Sequence, residues 1–423
     1  MGGNVRRIVV PAVMAVAVVS AWAGPAAADA GDLDPAFGGG DGQVVTSMGV
    51  GDAYGNATVV QKDGRVLVAG TASHATDDTE FAVVRYKPNG SPDPTFGGDG
   101  RVVTNLTGGD DQPYGVALAG GGKILVGGYA GENFAAVRYL PDGTLDHTFS
   151  GDGKAIIHFS QGPSFGYSIA RSKGGKVVIG GLLTVNGVDR FALVRLTSAG
   201  VLDAAFGGDG RVATPMGAGN AFVWQMLVHA DGSIVAVGDA NPSGGHTSAA
   251  VAWYHPNGTL DSGFGDGGKT IHDVGEDLSP SGLVELASHK IVIAGAYRTG
   301  PASFMLALLR LRADGHPDET FGPDALVTRD FGGDGDYVGE IRRAGSKFLV
   351  SMSHNEGAAS HMGVARLNAN GSADTAFGNQ GLALVTKDGT FGQALAVDGD
   401  GRIVVAGQLN SPAKFFTARF LPA

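Results

Sequence analysis

Acidic or aromatic side chains occur at seven places along the chain, each at the start of a short stretch predicted to be a β-strand. Carboxylates beside exposed aromatic rings can bind a sugar, a cationic small molecule or a divalent ion. The candidate ligand-binding residues chosen from these places are Asp52, Tyr54, Asp111, Tyr114, Tyr167, Trp224, Asp277, Asp336 and Tyr337. In the alternative interpretation, the rings pack inside the fold and the acids only keep its rim soluble.

Two other patterns suggest nucleophilic or acid–base chemistry. The segment "GPSFG" (162–166) has the spacing of a serine nucleophile motif. That motif requires a strand-to-helix turn, and no helical periodicity follows the segment, so we assign no catalytic residue there. His229 and His272 have acidic residues near them in sequence and are the first histidines to examine for an enzymatic site.

A third pattern concerns metal binding. "HNEGAASH" (354–361) places His354, Glu356 and His361 in one predicted loop, where metal binding competes with simple solvation of the side chains. Calcium-binding glycine-rich repeats need tandem copies every nine residues, whereas "GGDG" occurs once per repeat unit here. We therefore expect no cofactor and assign no metal ligand, with a divalent cation kept only as an alternative.

The residues that recur at a fixed period are better explained by structure than by chemistry. Seven phenylalanines recur every 53 to 59 residues, each three residues after an aspartate, and an arginine lies eight residues before that aspartate in all units but one. A residue needed once for chemistry has no reason to occur seven times. We predict that each aspartate holds a loop, that each phenylalanine packs between units and that each arginine pairs with its aspartate. The repeated residues are Asp34, Phe37, Arg85, Asp93, Phe96, Arg138, Asp146, Phe149, Arg195, Asp203, Phe206, Asp261, Phe264, Arg310, Asp318, Phe321, Arg366, Asp374, Phe377 and Arg419, with Trp253 in place of one arginine.

Each repeat unit contains four strand-like stretches, and no helical periodicity occurs after residue 30. The stretches in one unit are 114–119, 123–128, 134–140 and 154–159. Several are continuously apolar, as in "VLVAG" and "VVIGG", which is typical of strands buried on both faces. Four-stranded antiparallel sheets that stack on sheets like themselves are the blades of a β-propeller.

The two chain ends indicate that the row of units closes into a ring. The C-terminus stops on a third strand, "KFFTARFLPA", and the N-terminus supplies the missing loop and fourth strand, "LDPAFGGGDG" and "QVVTS". We therefore predict an all-β, seven-bladed β-propeller of four-stranded antiparallel blades, closed by pairing of the N-terminal strand with the C-terminal blade. The alternative is an open β-solenoid, which needs capping units at its ends.

Residues 1–30 have the features of a signal peptide, with Arg6 and Arg7, an apolar core and a final "ADA". The paired arginines leave twin-arginine export as an alternative to general secretion. We expect cleavage after Ala30, which leaves a single propeller domain over 31–423. The mature protein is then expected to be secreted or held at the cell envelope without a transmembrane anchor.

Composition narrows the range of partners. The mature chain has 28 basic and 40 acidic residues, a formal charge of −12, because the signal peptide carries two of the 30 basic and one of the 41 acidic residues. This charge disfavours nucleic acid and anionic membranes as partners. The chain has no cysteine, which excludes disulfides and thiolate chemistry. We expect a monomer that binds a small molecule, a glycan or a protein.

The repeat strings resemble a known family. "FAVVRYKPNGSPDPTFGGDGRVVT" (81–104), preceded by "VQKDGRVLVAG" (60–70), is similar to the bacterial delta-60 repeat, and the similarity extends over 31–423. The resemblance implies a β-propeller in exported or envelope-associated bacterial proteins of mostly unassigned activity, and it brings no catalytic residues. The chain departs from the pattern at Trp253, "FGPDA" (321–325) and "FGNQG" (377–381).

Two functions follow from this reasoning. The first is an exported, non-catalytic propeller that binds a ligand or protein, or acts as an envelope scaffold. The alternative is a propeller enzyme, such as a metal-assisted lyase or a glycan-acting hydrolase, with its site at the mouth of the axial channel. An enzyme should show a His, Glu or Asp cluster restricted to one or two blades, whereas a scaffold should show near-symmetric rims.

Overall fold

The chain folds into seven four-stranded antiparallel sheets. The computed structural model describes residues 29–49, 51–73, 78–242, 245–300, 303–410 and 412–422, so residues 1–28 of the predicted signal peptide lie outside the described residues. Within the described residues, no helix is long and apolar enough to cross a membrane. The predicted seven-bladed β-propeller is confirmed.

The strands follow one another in chain order within each blade. The N-terminal strand is β1 (Gln43–Thr46). Blade 1 contains β2 (Ala53–Val60), β3 (Val66–Ser73), β4 (Thr79–Tyr86) and β5 (Arg101–Thr104). Blade 2 contains β6 (Asp111–Leu118), β7 (Ile124–Ala130), β8 (Asn133–Tyr139) and β9 (Lys154–Ile157). Blade 3 contains β10 (Ser164–Arg171), β11 (Val177–Val185), β12 (Val188–Leu196) and β13 (Arg211–Thr214).

The remaining blades repeat this arrangement. Blade 4 contains β14 (Ala221–Val228), β15 (Ile234–Ala240), β16 (Ser248–Tyr254) and β17 (Lys269–His272). Blade 5 contains β18 (Leu278–Glu285), β19 (Ile291–Arg298), β20 (Phe304–Leu311) and β21 (Leu326–Arg329). Blade 6 contains β22 (Gly335–Ala344), β23 (Lys347–Glu356), β24 (Ala359–Leu367) and β25 (Leu382–Leu384). Blade 7 contains β26 (Thr390–Val397), β27 (Ile403–Leu409) and β28 (Lys414–Phe420), and three short 3-10 turns lie at Gly120–Gly122, Lys173–Gly175 and Pro323–Ala325.

The tight turn between the first and second strands contains a glycine with positive φ in every blade except blade 5, where His289 has a φ of 58°. In blade 2 the turn contains Gly121 and Gly122, with φ of 73° and 75°. Residues other than glycine rarely adopt this left-handed conformation. The first strands begin at one face of the disc, which we call the entry face, and the turns to the second strands lie at the opposite face.

Blade 7 is completed by the N-terminal strand. β1 pairs antiparallel with β28, with Val44 opposite Thr417, and β2 of blade 1 packs against β26 and β27 of blade 7. Arg419 Nε donates to Asp34 Oδ2 at 2.8 Å, across the chain ends. The predicted closure is therefore confirmed, and the open solenoid is excluded because the described sheets form a complete ring.

The core lies between blades, where each sheet packs on the next. The cluster joining blades 7 and 1 contains Phe37, Val68, Val404 and Phe415, all of them buried. The continuously apolar second and third strands supply both faces of each such contact, as their sequences predict. The ordered contacts extend slightly beyond the predicted cleavage point, because Ala30 accepts a hydrogen bond from Gly378 N at 2.9 Å.

Candidate functional site

The first strand of every blade has a β-bulge, which turns one extra side chain out of the sheet. In blade 3, for example, the pairing shifts between Gly166 and Ser168, so Tyr167 has no direct partner on β11. The bulge residues of the seven blades are Asn56, Tyr114, Tyr167, Trp224, Ser281, Glu340 and Gln393. All seven line one cavity of about 980 Å³ that contacts every first strand and is therefore the axial channel.

The bulge leaves little room between the first and second strands. A Cβ atom at Gly181 would collide with the carbonyl oxygen of Phe165, and one at Gly128 would collide with that of Gln112. Glycine at these positions allows the close approach, which explains the "VGG" and "IGG" strand ends in the sequence. The repeat therefore positions a channel side chain in every blade, and its type is free to differ from blade to blade.

Aromatic side chains occupy the bulge in three consecutive blades and form what we call the aromatic wall. It consists of Tyr114, Tyr129, Phe165, Tyr167, Phe222 and Trp224, all of them half-buried. Adjacent rings are in contact, with centroids 5.3 Å apart for Tyr114 and Tyr167 and 4.8 Å apart for Tyr167 and Trp224. Tyr129 and Phe165 stand behind them at 4.9 Å from one another. The wall differs from the buried repeat phenylalanines because three of its rings, those of Tyr114, Tyr167 and Trp224, line the channel.

Burial keeps the tyrosines of the wall protonated. Burial raises the pKa of Tyr167 to about 12, with smaller contributions from Tyr114 and Asp189. Burial also raises the pKa of Tyr129 and of Tyr114. These hydroxyls are therefore neutral hydrogen-bonding groups at any physiological pH.

The opposite side of the channel is polar. Glu340 of blade 6 accepts from Gln225 Nε2 at 3.0 Å and from Leu395 N at 2.9 Å, and it pairs with Arg342. Gln225 Oε1 in turn accepts from Leu283 N at 2.7 Å. This network links blades 4 to 7, so the aromatic wall faces amides and the carboxylate of Glu340, and Glu285 also lines the channel.

Four of the nine predicted ligand-binding residues line the channel. They are Tyr114, Tyr167, Trp224 and Tyr337. The first three belong to the aromatic wall, whereas Tyr337 is 58% exposed and contacts Phe304, with ring centroids 6.1 Å apart. The structure therefore brings together the predicted aromatic residues of blades 2, 3 and 4.

The predicted acids and Tyr54 do not line this cavity. Asp111 is fully buried and accepts from Leu106 N at 2.6 Å and from the Thr107 hydroxyl at 2.7 Å, which holds the loop ahead of β6. Asp52 accepts from Ala413 N of the neighbouring blade at 2.9 Å and lies 3.4 Å from the Tyr54 hydroxyl.

Asp277 and Asp336 make similar contacts. Asp277 accepts from Thr247 N at 2.8 Å and pairs with Arg298 at 2.8 Å. Asp336 is buried against His354, whose Nδ1 lies 2.8 Å away, and burial raises the pKa of this carboxyl. The four acids thus connect loops and strands at the entry face, and their predicted role in binding stays a prediction.

The repeated arginine, aspartate and phenylalanine together link neighbouring blades. In blade 2, Arg138 Nε donates to Asp146 at 2.6 Å, its guanidinium lies 4.7 Å from the centre of the Phe149 ring, and its NH1 donates to Ser198 O of blade 3 at 2.5 Å. The same Arg–Asp hydrogen bond joins Arg85–Asp93, Arg195–Asp203, Arg310–Asp318, Arg366–Asp374 and Arg419–Asp34. The phenylalanine contacts a loop glycine of the next blade, as Phe37 does at Gly90.

A second cation beside six of the seven repeat aspartates was missed in the sequence. Lys123 Nζ donates to Asp146 at 2.8 Å, beside Arg138. The equivalent cations are Arg65, Lys176, Lys290, Lys347 and Arg402. These cations could have been identified in the sequence, because each one directly follows the tight turn of its unit and either precedes or begins the second strand.

Blade 4 lacks both cations. Trp253 replaces the arginine and packs on Phe264 with centroids 5.5 Å apart, and Ser233 stands where the second cation would be. Asp261 is consequently more exposed and has only His255, 3.8 Å away, as a charged partner. This blade is therefore where the repeat is most altered.

A histidine–carboxylate cluster lies beside this altered blade, at the channel end opposite the entry face. His229 Nε2 lies 2.7 Å from Glu285, its Nδ1 lies 2.9 Å from the Ser233 hydroxyl, and His289 contacts the other Glu285 oxygen at 2.6 Å. His229 and Glu285 line the channel, whereas His272, on the outer strand of blade 4, donates its Nε2 proton to the carbonyl of Asp324 at 2.8 Å. Ser233 is only 6% exposed and bonds Asp231, so it is poorly placed as a nucleophile.

Within the described part of the chain, no group of three His, Asp or Glu side chains is arranged to hold a metal ion. Ser164 of the "GPSFG" segment is buried in strand β10, not on a strand-to-helix turn.

Asp239 lies behind the wall and was not singled out in the sequence. Its carboxyl is buried, with the Ser279 hydroxyl 3.1 Å away, and burial raises its pKa to about 6 despite hydrogen bonds from Trp224 and Ser279. Such a buried acid on an apolar strand could be recognised in "IVAVGDA", where it interrupts an otherwise uncharged run.

Replacing Asp239 by Asn is expected to stabilise the protein at neutral pH by about 2 kcal/mol and to change nothing near pH 4. A folded-state pKa above the unfolded value of about 3.9 means that this group stabilises the fold most below pH 4 and loses that contribution as pH rises through about 6. Urea unfolding of both proteins across this pH range measures the difference. Asp209→Asn, at an exposed carboxylate, is the control, and a pH-independent effect of Asp239→Asn would contradict the assignment.

Comparison with known proteins agrees with this repeat structure. A family model described as "Domain of unknown function (DUF5122) beta-propeller" matches residues 61–96, 122–149, 175–206, 229–264 and 352–377. The chain is therefore similar to the DUF5122 β-propeller family in five of its repeat units. The expected resemblance to delta-60 repeats is confirmed, since DUF5122 is such a family. The sequence matches no curated protein.

Several solved structures are similar to this propeller at low sequence identity. A protein of unknown function from Dyadobacter fermentans is 13% identical, with 90% of this chain and 98% of that chain covered and a TM-score of 0.50. A polysaccharide lyase described as a PL25 ulvan lyase is 11% identical, with 90% and 96% covered and a TM-score of 0.50. The periplasmic gluconolactonase of Pseudomonas aeruginosa is 14% identical, with 79% and 87% covered and a TM-score of 0.48. Identities this low show the fold alone.

Proposed function

We propose that this protein is an exported, non-catalytic binding module that takes a small molecule or a short glycan into its axial channel. The observation that carries the proposal is the aromatic wall. Half-buried rings from three neighbouring blades line one side of a cavity of about 980 Å³, within the usual size of small-ligand sites. The repeat does not require aromatic bulge residues, because the other four blades have Asn, Ser, Glu and Gln there.

The polar side of the channel supports the same proposal. Flat apolar rings facing hydrogen-bonding groups suit a ligand with one apolar face and several hydroxyls or amines, such as a sugar ring. Gln225 and Glu340 already accept hydrogen bonds from main-chain N–H groups, so they are oriented before a ligand arrives. Such preorganisation lowers the entropic cost of binding.

Trp224→Ala is expected to weaken binding by about 10- to 100-fold, since a central aromatic contact contributes about 1–3 kcal/mol. The experiment is a thermal-shift screen of the mature chain against a panel of neutral, cationic and anionic oligosaccharides, followed by calorimetric titration of each hit. Trp253→Phe is the matched control, because Trp253 packs on Phe264 and does not line the channel. Hits that bind both variants equally well, or a panel without hits, would count against the proposal.

The alternative function, a propeller enzyme, is favoured by one observation. His229 and Glu285 form a hydrogen-bonded pair at the channel lining in only one pair of blades, which is the kind of asymmetric cluster expected of an enzyme. If the protein cleaves a glycan bound in the channel, His229→Gln should abolish product formation and leave binding at the aromatic wall unchanged. Product analysis of the screened oligosaccharides by mass spectrometry tests this alternative.

A further inference from the structure

We propose that the ligand of the aromatic wall is an organic cation, a molecule carrying an ammonium group such as an amino sugar or a polyamine, which enters from the entry face. The inference rests on the proposed binding function and specifies the chemical class of the ligand. Cations are attracted to the faces of Tyr, Trp and Phe rings, and an aromatic cage is a common way to bind them.

The rings of the wall are not engaged by the protein's own cations. Within the described residues, every cation–ring contact uses an arginine over Phe37, Phe96, Phe149, Phe159, Phe206, Phe321 or Phe377. Six of these seven are the buried phenylalanines of the repeat. The faces of the wall rings that point into the channel therefore remain open to an external cation.

Three carboxylates lie close to the wall in the fold. Asp239 is opposite Phe222 in the β14–β15 ladder, Asp110 directly precedes β6, and Asp189 lies near the start of β12 at the entry face. Fixed negative charge near an aromatic surface adds a long-range attraction for cations to the short-range attraction of the rings. An anionic ligand would meet repulsion from the same groups.

The rest of the entry face has the same sign of charge. Its loops carry the carboxylates of Asp52, Asp78, Asp110, Glu132, Asp273, Glu276, Asp277, Asp330, Asp334 and Asp388. The cations of this face are Lys387 in the described loop residues, Arg190, Arg298, Arg329 and Lys414 at nearby strand ends, and Arg101, Lys154, Arg211 and Lys269, which donate to carbonyls of its loops. Strand ends at the same face add the carboxylates of Glu80, Asp189, Asp336 and Glu356, so the acids outnumber the cations. Negative potential over the face would concentrate cations at the channel mouth.

The far end of the channel has a different balance of charge. Arg342 and Arg343 line it, and Arg342 is paired with Glu340. Arg343 is exposed and donates its Nε to the carbonyl of Gly345. Glu285 also lines this end, but it is already hydrogen-bonded to His229 and His289. Two arginines against one engaged carboxylate make the far end less attractive to a cation than the entry face, which sets the direction of entry.

The sign of the field can be measured without any ligand. Trp253→Phe leaves Trp224 as the one tryptophan of the mature chain, which lacks Trp22 of the signal peptide. Quenching of Trp224 fluorescence by caesium ions should then exceed quenching by iodide several-fold relative to free tryptophan, and the preference should fade at high salt. Asp110→Asn with Asp189→Asn should reduce it, and a preference for iodide would overturn the inference.

A matched pair of ligands tests the charge directly. Glucosamine tetramer and N-acetylglucosamine tetramer differ in whether the nitrogen is charged at mildly acidic pH, and spermidine provides a cation without a sugar ring. The inference predicts that glucosamine tetramer binds about tenfold more tightly than its acetylated form, with the difference lost in Trp224→Ala. Equal binding of the two tetramers would overturn the cationic ligand and leave channel binding intact. Binding of none of the three probes would overturn both.

Discussion

A chain that begins at Ser47 instead of Gly31 is expected to lose its cooperative unfolding transition and to aggregate. The truncation removes β1 and the loop before it, so blade 7 keeps three strands and β28 becomes an exposed sheet edge. Exposed edges of this kind pair with other chains. Far-UV circular dichroism during heating and light scattering measure the two effects.

The size of this effect follows from what the missing segment contributes. Phe37 is fully buried and is worth about 2–3 kcal/mol. Asp34 is the buried partner of Arg419, and losing one partner of a buried ion pair costs about 3–5 kcal/mol. With the lost ladder to β28, the total approaches the 5–15 kcal/mol that stabilises a typical domain.

The control for the truncation is the chain that begins at Gly31, which keeps the Arg419–Asp34 contact. This is the chain expected after signal-peptide cleavage, and we expect it to unfold in one cooperative transition. A Ser47 chain that melts cooperatively within a few degrees of this control would show that the ring does not depend on its N-terminal strand.

Arg138→Ala is expected to destabilise the protein by about 3 kcal/mol, near the lower end of the cost of stranding one member of a buried ion pair. Arg138 is 7% exposed and contacts Asp146, Thr148, the Phe149 ring and the carbonyl of Ser198. Lys123 still neutralises Asp146 in the variant, so the loss is smaller than in a pair with a single cation. Urea unfolding monitored by fluorescence measures the change.

The same pair makes the unfolding free energy pH-dependent. Burial opposes ionisation of Asp146, but hydrogen bonds from Lys123, Thr148 and Arg138 outweigh it and hold its pKa well below its usual range. Its contribution is therefore present above about pH 4 and lost as pH falls below that value. Arg138→Ala should reduce this acid sensitivity.

Arg171→Ala provides the matched control for Arg138→Ala, because Arg171 is an exposed arginine at the end of strand β10. Surface substitutions of this kind usually change stability by less than about 0.5 kcal/mol. Equal effects of the two substitutions would mean that the repeated arginine does not link the blades.

The fold could be predicted from the sequence because the same residues recur at the same positions in every repeat unit. The aspartate and phenylalanine of each unit mark one loop per blade, and the spacing from Arg419 to Asp34 around the chain ends already indicates closure. Continuous apolar strands such as β11 indicate burial between two neighbours. These patterns are local in the sequence or recur at a fixed period, so they can be recognised without a structure.

The site was accessible only in part. Tyr114, Tyr167 and Trp224 could be selected as aromatic residues near the start of a first strand, but the bulge that turns them into the channel leaves no clear mark in a single unit. The acids beside them, such as Asp111, look equally suited to a ligand until the main-chain N–H groups they accept from are located. Glu340 becomes notable only through its contacts with other blades, whereas Asp239 could have been noticed as an acid that interrupts an apolar strand.

The channel exists only if the two chain ends share one sheet, and a cysteine cross-link tests this directly. Gln43 and Ala418 are opposite one another in the β1–β28 ladder, and the adjacent bond from Arg419 N to Gly42 O makes theirs a non-hydrogen-bonded pair, the closer kind. The chain has no other cysteine, so a Gln43→Cys, Ala418→Cys variant can form one disulfide only.

Mild oxidation of that variant, followed by intact mass and electrophoretic mobility, is the measurement. A ring closed by β1 predicts near-complete intramolecular cross-linking with an unchanged circular dichroism spectrum, while Arg211→Cys with Ala418→Cys, whose residues belong to blades 3 and 7, stays reduced. Equal cross-linking of the two variants, or none in either, would contradict the closed ring and the channel that depends on it.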